Sequence, residues 1–426
     1  MRNMKKGILT VFVLAVVFSM IGMDCGKSYA ADPILVGVPV ARASTYGREA
    51  EMGIVLGAEL INATGGVKVG KEMRPFKLEI ADTRDQEPGV PTSEVLLAIE
   101  KLILDKKVHM LVGGPTMSEC AMAALDLFPK YKILDIVNGG VWSPAWHQKT
   151  SSDIAKYKYS FKLNTHAGYL INSFVDLLND IKKKHGLDKI YITIAEAASC
   201  KAAAAAVEKA GPASGWKVVG KEVHPIGTTD YSMMLRDVKK SGAQILFIWD
   251  FPPEAVNMIK QWHDLKIPVL PMGFIDSIHM PEIWEQTRGK CAYVIETAGG
   301  AGYLPDVDFT PLNQSYYNAF KKRFGEEPSS SGSTAGYTAM YMLKEVIERT
   351  GTLESDALVK AIEEIDMKTV SGRLRFDKAS HQAIFGTDYK ESLVVGMLQW
   401  LDGKRRSVWP ENIAKARYKL PPWVKK

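Results

Sequence analysis

"VHMLVGGPTMSECAMAALDLF", Val108 to Phe128, is the stretch whose reading decides the fold. A short apolar run, Met110 to Val112, stops at Gly113-Gly114-Pro115. Hydroxyls at Thr116 and Ser118 follow, then a helical stretch rich in Ala and Leu. A buried strand that ends in small residues where a helix begins fits an open parallel sheet. In such sheets ligands sit beyond the carboxyl ends of the strands. There the next helix presents unpaired N–H groups and a partial positive charge, which suit an anion such as a carboxylate. Gly113 and Gly114 let a ligand approach the backbone, and Thr116 and Ser118 add hydroxyl donors. Thr116 capping its own helix is the alternative reading, and the two are compatible.

The same rhythm runs outward in both directions. "ILVGVPV" (34–40) precedes a helical segment from Arg48 to Asn62, and "FKLEIAD" (76–82) precedes Pro91 to Leu104. "KILDIVN" (132–138) closes this first series. After an irregular segment rich in Trp, Ser and Lys, the alternation restarts with "YSFKLN", "KIYITIA" (189–195), "WKVVGKEV", "AQILFIWD" (243–250), "PVLPMGF" (268–274) and "AYVIETA" (292–298). Short strands alternating with helices predict parallel sheets covered on both faces. Two such series predict an α/β protein of two lobes. A third part carries helices at 312–324, 334–349 and 354–365, the strand "GRLRFD" (372–377), and a hairpin turning at Asp402-Gly403.

Composition supports a globular protein. The 426 residues suffice for two or three domains, and 46% hydrophobic with 24% charged is ordinary. Arg2, Lys5 and Lys6 precede an apolar run from Ile8 to Ile21, and Ser28 and Ala30 provide small residues before a cut after Ala30. That order predicts a secretory signal over residues 1–30, export and cleavage. Lipid anchoring through Cys25 is the minor alternative, since Asp24 precedes it. The signal carries +3 and residues 404–426 carry +7, which leaves the body between them at −4 out of a total of +6. A mildly acidic body with a basic tail (411–426) excludes the charged stripe of a nucleic-acid binder, and the tail is expected to be a solvated terminus. Cys120, Cys200 and Cys291 lack metal-ligand spacing and are expected to be small buried residues.

Catalytic and cofactor motifs are missing. No Gly-x-Gly-x-x-Gly follows a strand, no Walker-type loop occurs, and no His-Glu-x-x-His is present. "GSTAG" (332–336) has Thr where a hydrolase elbow needs Ser or Cys, and a helix cap by Ser333 or Thr334 explains it better. No enzyme activity, cofactor or metal is therefore expected. The other strand ends resemble the first. "DIVNGGVWSPAW" places Gly139 and Gly140 before Trp142, which is either a pocket wall or lobe packing. "FIWDFPPE" places Trp249, Asp250 and Glu254 at a strand end, where an acid meets a ligand ammonium or Asp250 caps a helix.

At this point the sequence resembles the leucine/isoleucine/valine-type periplasmic solute-binding proteins of ABC transporters, which have the type I periplasmic binding fold. The likeness is carried by "ILVGVPVARASTYGREAEMGIVLGAELINATGGV", "FKLEIADTRDQEP", "GGPTMSECAMAA", "AQILFIWDFPPEAVNMIKQW", "PMGFIDS", "AGYTAMYMLKEVIERTG" and "MLQWLDGKRRSVWP", in that order. It implies two Rossmann-like lobes, each a parallel sheet flanked by helices, joined by a hinge of three crossovers. The expected lobes are 32–158 plus 296–366, and 159–295 plus 367–410. It also implies that the ligand carboxylate is held by residues matching Met117–Glu119 and Gly139–Val141, with Tyr46 close by. The second lobe would supply an acid for the ammonium, Glu254 or Asp250. Four features depart from the family. "NGGVW" has an extra residue and lacks the usual Ala-Thr pair. Met117 stands where a small hydroxyl residue is usual, "EAASCK" (196–201) lacks the second-lobe tyrosine, and Cys120 has no disulfide partner in "IADTRDQEP". Met117, Trp142 and Trp249 then suggest a larger apolar or aromatic pocket. The implied function is binding of a small carboxylate-bearing solute, a branched-chain or other amino acid, by a monomer that serves an inner-membrane ABC permease. Aromatic or other organic acids, and a sensory role, are the alternatives.

Overall fold

The computed structural model describes residues 31–87, 89–250, 254–280, 282–297 and 311–424. The expected export signal, its cut after Ala30 and Cys25 lie outside the described residues. Two seven-stranded sheets organise the rest. The first runs Phe376–Asp377, Gln382–Ala383, Ser160–Lys162, Leu134–Val137, Met110–Gly113, Ile34–Val40 and Phe76–Asp82. The second runs Lys404–Trp409, Met397–Leu401, Ile295–Thr297, Leu270–Ile275, Ile245–Asp250, Lys189–Ala195 and Lys217–His224. In each sheet the last five strands of that order pair in parallel, so both faces must be covered. Hence the near-continuous apolar runs, such as Ile245–Asp250, in which every residue is buried.

In each parallel set the first strand of the chain lies between the second and the third. The strand order therefore reverses beside Ile34–Val40 in the first sheet and beside Lys189–Ala195 in the second. A crevice opens at such a switch point, at the carboxyl ends of the strands. The residues after Val40, Gly113 and Ala195 consequently border the two crevices.

The chain passes between the sheets three times, after Lys162, after Thr297 and after Ala383. Strand membership differs from the expected division. Ser160–Lys162, Phe376–Asp377 and Gln382–Ala383 belong to the first sheet, and Ile295 begins a strand of the second. The short strands beyond 372 carried no clear alternation, so their partners were set by packing rather than local pattern. A small four-stranded sheet (Met367–Thr369, Gly372–Leu374, Phe385–Gly386, Leu393–Val394) accompanies the last crossovers.

Helix Thr45–Ala63 covers the first sheet, and Ser44 Oγ caps it by accepting from Gly47 N–H. Helix Ser331–Thr350 packs on it so closely that a Cβ at Gly53 would lie 2.0 Å from Ser333 O. Ser330 caps that second helix, one turn earlier than the expected Ser333 or Thr334. The segment expected to be irregular after Trp142 contains helices Pro144–Ser152 and Ile154–Tyr157, the first capped by Ser143. The hairpin at Asp402-Gly403 is present, with both turn residues at positive φ (50° and 81°) as a tight two-residue turn requires.

The basic tail is docked on the protein. Tyr418 OH donates to Asp180 Oδ2 at 3.0 Å, and Lys419 N–H donates to Gln399 Oε1 at 2.8 Å. Trp423 Nε1 donates to Ile267 O at 2.9 Å, with its ring 5.3 Å from that of Trp262. The charge excess suggested a solvated terminus, but the interleaved aromatics decide the outcome, because their burial outweighs the solvation of lysines that keep their charged heads in water. Cys120, Cys200 and Cys291 are buried and unpaired. No described helix is long and apolar enough to cross a membrane.

Candidate functional site

Aromatic side chains from both sheets meet between the strand ends. Tyr46 starts the helix after the strand Ile34–Val40, and Trp142 follows the strand Leu134–Val137. Their rings lie 5.4 Å apart, edge to face. Phe274, near the end of the strand Leu270–Ile275 in the second sheet, reaches both, at 6.5 Å from Tyr46 and 5.4 Å from Trp142. Trp249, near the end of the neighbouring strand, stacks on Phe274 at 5.3 Å. Three of the expected residues, Tyr46, Trp142 and Trp249, are thus brought together. Phe274, which joins them, was missed. "PVLPMGF" (268–274) read simply as a strand and "PMGFIDS" only as part of the family likeness, although its Phe-Ile-Asp resembles the Ile-Trp-Asp that ends the adjacent strand.

The two segments expected to hold a carboxylate differ in their availability. At the first, Met117 N–H already donates to Asp85 Oδ2 at 2.6 Å. Ser118 Oγ accepts from Ser143 N–H at 3.2 Å, and the Met117 side chain is exposed. Thr116 is buried and does not cap the helix Ser118–Ala124, whose N-cap is Met117 without a side-chain bond. At the second segment, Gly140 has φ +69° and sits against Thr116, where a Cβ would come within 2.4 Å of Thr116 O. Val141 also has positive φ (60°), a strained region for a β-branched residue. Val141 N–H donates to Thr116 O at 2.9 Å, and Asn164 Nδ2 donates to Gly140 O at 3.1 Å. The N–H groups of Gly139, Gly140 and Trp142 donate to no acceptor among the described residues. Backbone donors in such a place are normally satisfied, by a ligand or water if not by protein.

The acids of the second sheet divide by partner. Asp250 is fully buried and binds inward, with His224 Nε2 2.9 Å from its Oδ2 and Thr193 Oγ1 3.3 Å from His224 Nδ1. This hydroxyl–imidazole–carboxylate row has the order of a hydrolytic triad. Thr193 is at 0% exposure, however, so no substrate reaches its hydroxyl. The row ties together side chains from three adjacent strands. Glu254 is the N-cap of the next helix, with Oε2 buried and without a hydrogen-bond partner among the described residues. Another acid, which the sequence reading did not select, lies nearer the rings. Asp276 is beside the Tyr46 hydroxyl; burial and the Asp276 charge together push that hydroxyl well above its ordinary range. His279 stands 3.4 Å from Asp276 Oδ1 and 3.0 Å from Glu296 Oε2. Burial pulls His279 down, but Glu296 and Asp276 outweigh it and hold the imidazole up to about 9, so it is charged at neutral pH. Arg405 Nη1 donates to His279 O at 2.6 Å and completes the group. The site therefore has an aromatic middle, unengaged N–H groups on the first-sheet side and a partly compensated acidic group on the other. Among the described residues no cluster of His, Cys, Asp and Glu is arranged to hold a metal.

Comparisons with known proteins agree with this architecture. The family model described as periplasmic binding protein matches residues 35–388. Leu/Ile/Val-binding protein homolog 8 of Brucella abortus is 23% identical over 388 residues, covering 88% of this chain and 89% of that protein. Two solved structures share the fold. The branched-chain amino acid transporter substrate-binding protein LivJ from Streptococcus pneumoniae, in complex with isoleucine, matches with a TM-score of 0.70 at 18% identity, over 88% of this chain and 97% of that one. A solute-binding protein of an ABC transporter from R. palustris, in complex with 4-hydroxybenzoate, matches with a TM-score of 0.69 at 20% identity, over 92% and 99% of the two chains. With two lobes of parallel sheet facing one another across paired switch points, and a family match over most of its length, the chain belongs to the periplasmic binding protein family.

Proposed function

We propose that this chain is the exported, non-catalytic binding component of an ABC importer, which closes on a small carboxylate-bearing solute with a flat apolar body and delivers it to an inner-membrane permease. The observation that carries this reading is the ring group Tyr46–Trp142–Phe274–Trp249, assembled from both lobes beside the unengaged N–H groups of Gly139, Gly140 and Trp142. Flat rings favour a flat partner, and free backbone donors favour an anion. Aromatic and related organic acids fit this site better than branched-chain amino acids. The inward engagement of Asp250 supports that preference, since it removes one of the two acids expected for an ammonium. An amino acid is the second reading, favoured by the unpaired Glu254 Oε2 and by Asp276 beside Tyr46.

A thermal-shift screen of the purified protein, unfolded and refolded to strip carried-over ligand, tests the proposal. The panel holds benzoate, 4-hydroxybenzoate, phenylalanine, leucine, isoleucine, valine and short dicarboxylates. A ligand at about one hundred times its dissociation constant stabilises by about 2.7 kcal/mol, an easily measured shift. A hit among the benzoates is expected. A hit confined to leucine, isoleucine and valine would select the second reading. No shift with any carboxylate would refute both.

A further inference from the structure

Lys162 ends the strand Ser160–Lys162 and is fully buried. Its Nζ donates to Val141 O at 2.5 Å and lies 5.7 Å from the centre of the Trp146 ring. Its register partners on the flanking strands are the uncharged Val137 and Gln382. The titratable groups facing it are basic. His166 precedes the helix Ala167–His185, and His147 lies in the helix Pro144–Ser152, their rings 5.5 Å apart. No carboxylate pairs with Lys162 among the described residues. Burial alone pulls its amine down to about 7. Burial, then Lys162 and His147, pull His166 down to about 3. A buried amine without a counter-ion is costly to keep, so its retention beside the cleft needs a cause.

The hydrogen bond of its amine supplies one. The Val141–Trp142 peptide is trans, so its C=O and N–H point in opposite directions. Lys162 holds the carbonyl, which turns the Trp142 N–H away from Lys162. The loop is fixed on either side, by Val141 N–H to Thr116 O at 2.9 Å and by Ala167 N–H to Trp142 O at 3.0 Å. The Trp142 N–H itself donates to no described residue, and the Trp142 ring belongs to the aromatic group. A cation on the carbonyl polarises the peptide and strengthens its N–H as a donor to an anion.

We propose that Lys162 is the positioning residue of the ligand-carboxylate subsite: it supplies the counter-charge through the Val141–Trp142 peptide, and binding of a carboxylate draws a proton from solvent onto its amine. This rests on the carboxylate reading above. The sign follows from linkage. A nearby anion favours the charged form of an amine, so uptake appears where the free protein holds Lys162 neutral, near pH 8, and vanishes near pH 6, where it is already charged.

Calorimetric titration in phosphate and in Tris, at pH 6 and pH 8, measures the protons taken up. The probe is whichever panel carboxylate most raises the melting temperature. The wild type is expected to take up close to one proton at pH 8 and none at pH 6. Lys162→Met is expected to take up none at either pH and to bind at least about tenfold more weakly, the scale of one charge-assisted hydrogen bond. The wild-type pH series needs no variant, so misfolding of Lys162→Met would not shield the idea. Binding without proton uptake at pH 8 overturns it, as does a Met variant with unchanged affinity and uptake. If no panel carboxylate binds the wild type, the proposed function fails, and this inference fails with it.

Discussion

Phe274→Leu tests whether the aromatic group couples the two lobes. The substitution keeps an apolar side chain in the strand Leu270–Ile275 but removes the ring. Phe274 contacts four rings. Trp249 at 5.3 Å and His279 at 5.5 Å belong to its own lobe, whereas Tyr46 at 6.5 Å and Trp142 at 5.4 Å belong to the other. Only the last two pairs are lost when the lobes part. At about 0.5–1.5 kcal/mol for each pair beyond simple burial, they favour the joined arrangement by about 1–3 kcal/mol. Losing them shifts the equilibrium between open and closed lobes about 5- to 150-fold toward open. Small-angle scattering of ligand-free protein then shows a larger radius of gyration for Phe274→Leu. A control separates opening from simple destabilisation. Phe174 packs on Phe247 at 5.6 Å within the second lobe, so Phe174→Leu lowers stability without changing the scattering. Superimposable curves for wild type and Phe274→Leu would refute the reasoning, because the cross-lobe rings would then carry no coupling energy.

Two further predictions concern stability. Asp135 is fully buried, and burial pushes its carboxyl up to about 8 despite the hydroxyl donated by Ser160 at 2.9 Å. Between pH 4 and 8 the unfolded chain has released a proton that the folded chain keeps, so this group makes stability fall as pH rises, by about 1.4 kcal/mol per unit. Urea unfolding at pH 5 and pH 7 is expected to show Asp135→Asn gaining about 2–3 kcal/mol on the wild type between the two, and an equal difference at both would contradict this. Trp423→Ala removes a half-buried ring that donates to Ile267 O and lies under Lys266 Nζ at 4.1 Å, and should cost about 2–3 kcal/mol, below the range for a fully buried tryptophan. Unchanged urea unfolding in that variant would return the tail to the status of a solvated terminus.

Local features of the chain were enough to read the two-lobe architecture. The apolar runs at 34–40, 110–113 and 245–250 are strands with both faces buried, and a parallel sheet requires that pattern. Tyr46, Trp142 and Trp249 were legible because each follows or ends such a run. The partners of those residues were not. Nothing near Asp250 announces His224, which reaches it from a neighbouring strand, and so an acid that suggested an ammonium site turned out to bind inward. Lys162 in "YSFKLN" looks like any surface lysine, since strand alternation cannot tell a buried end from an exposed one. Asp85 accepts the Met117 N–H only because the loop after Phe76–Asp82 reaches past the end of the strand Ile34–Val40, a long-range event without local sequence signal.

The threefold passage between sheets also governs the order in which this protein can be made. The first sheet gains one edge from residues 376–383, and the second gains one from 397–409, so neither is complete until those residues have been synthesised. Pairings of such long sequence separation form slowly, because closing the intervening loop costs entropy before any contact repays it. A chain built this way stays without finished sheets until residues 376–409 are available to close them. It then completes both lobes late and nearly together, so substitutions in the closing strands should slow folding of the two halves alike.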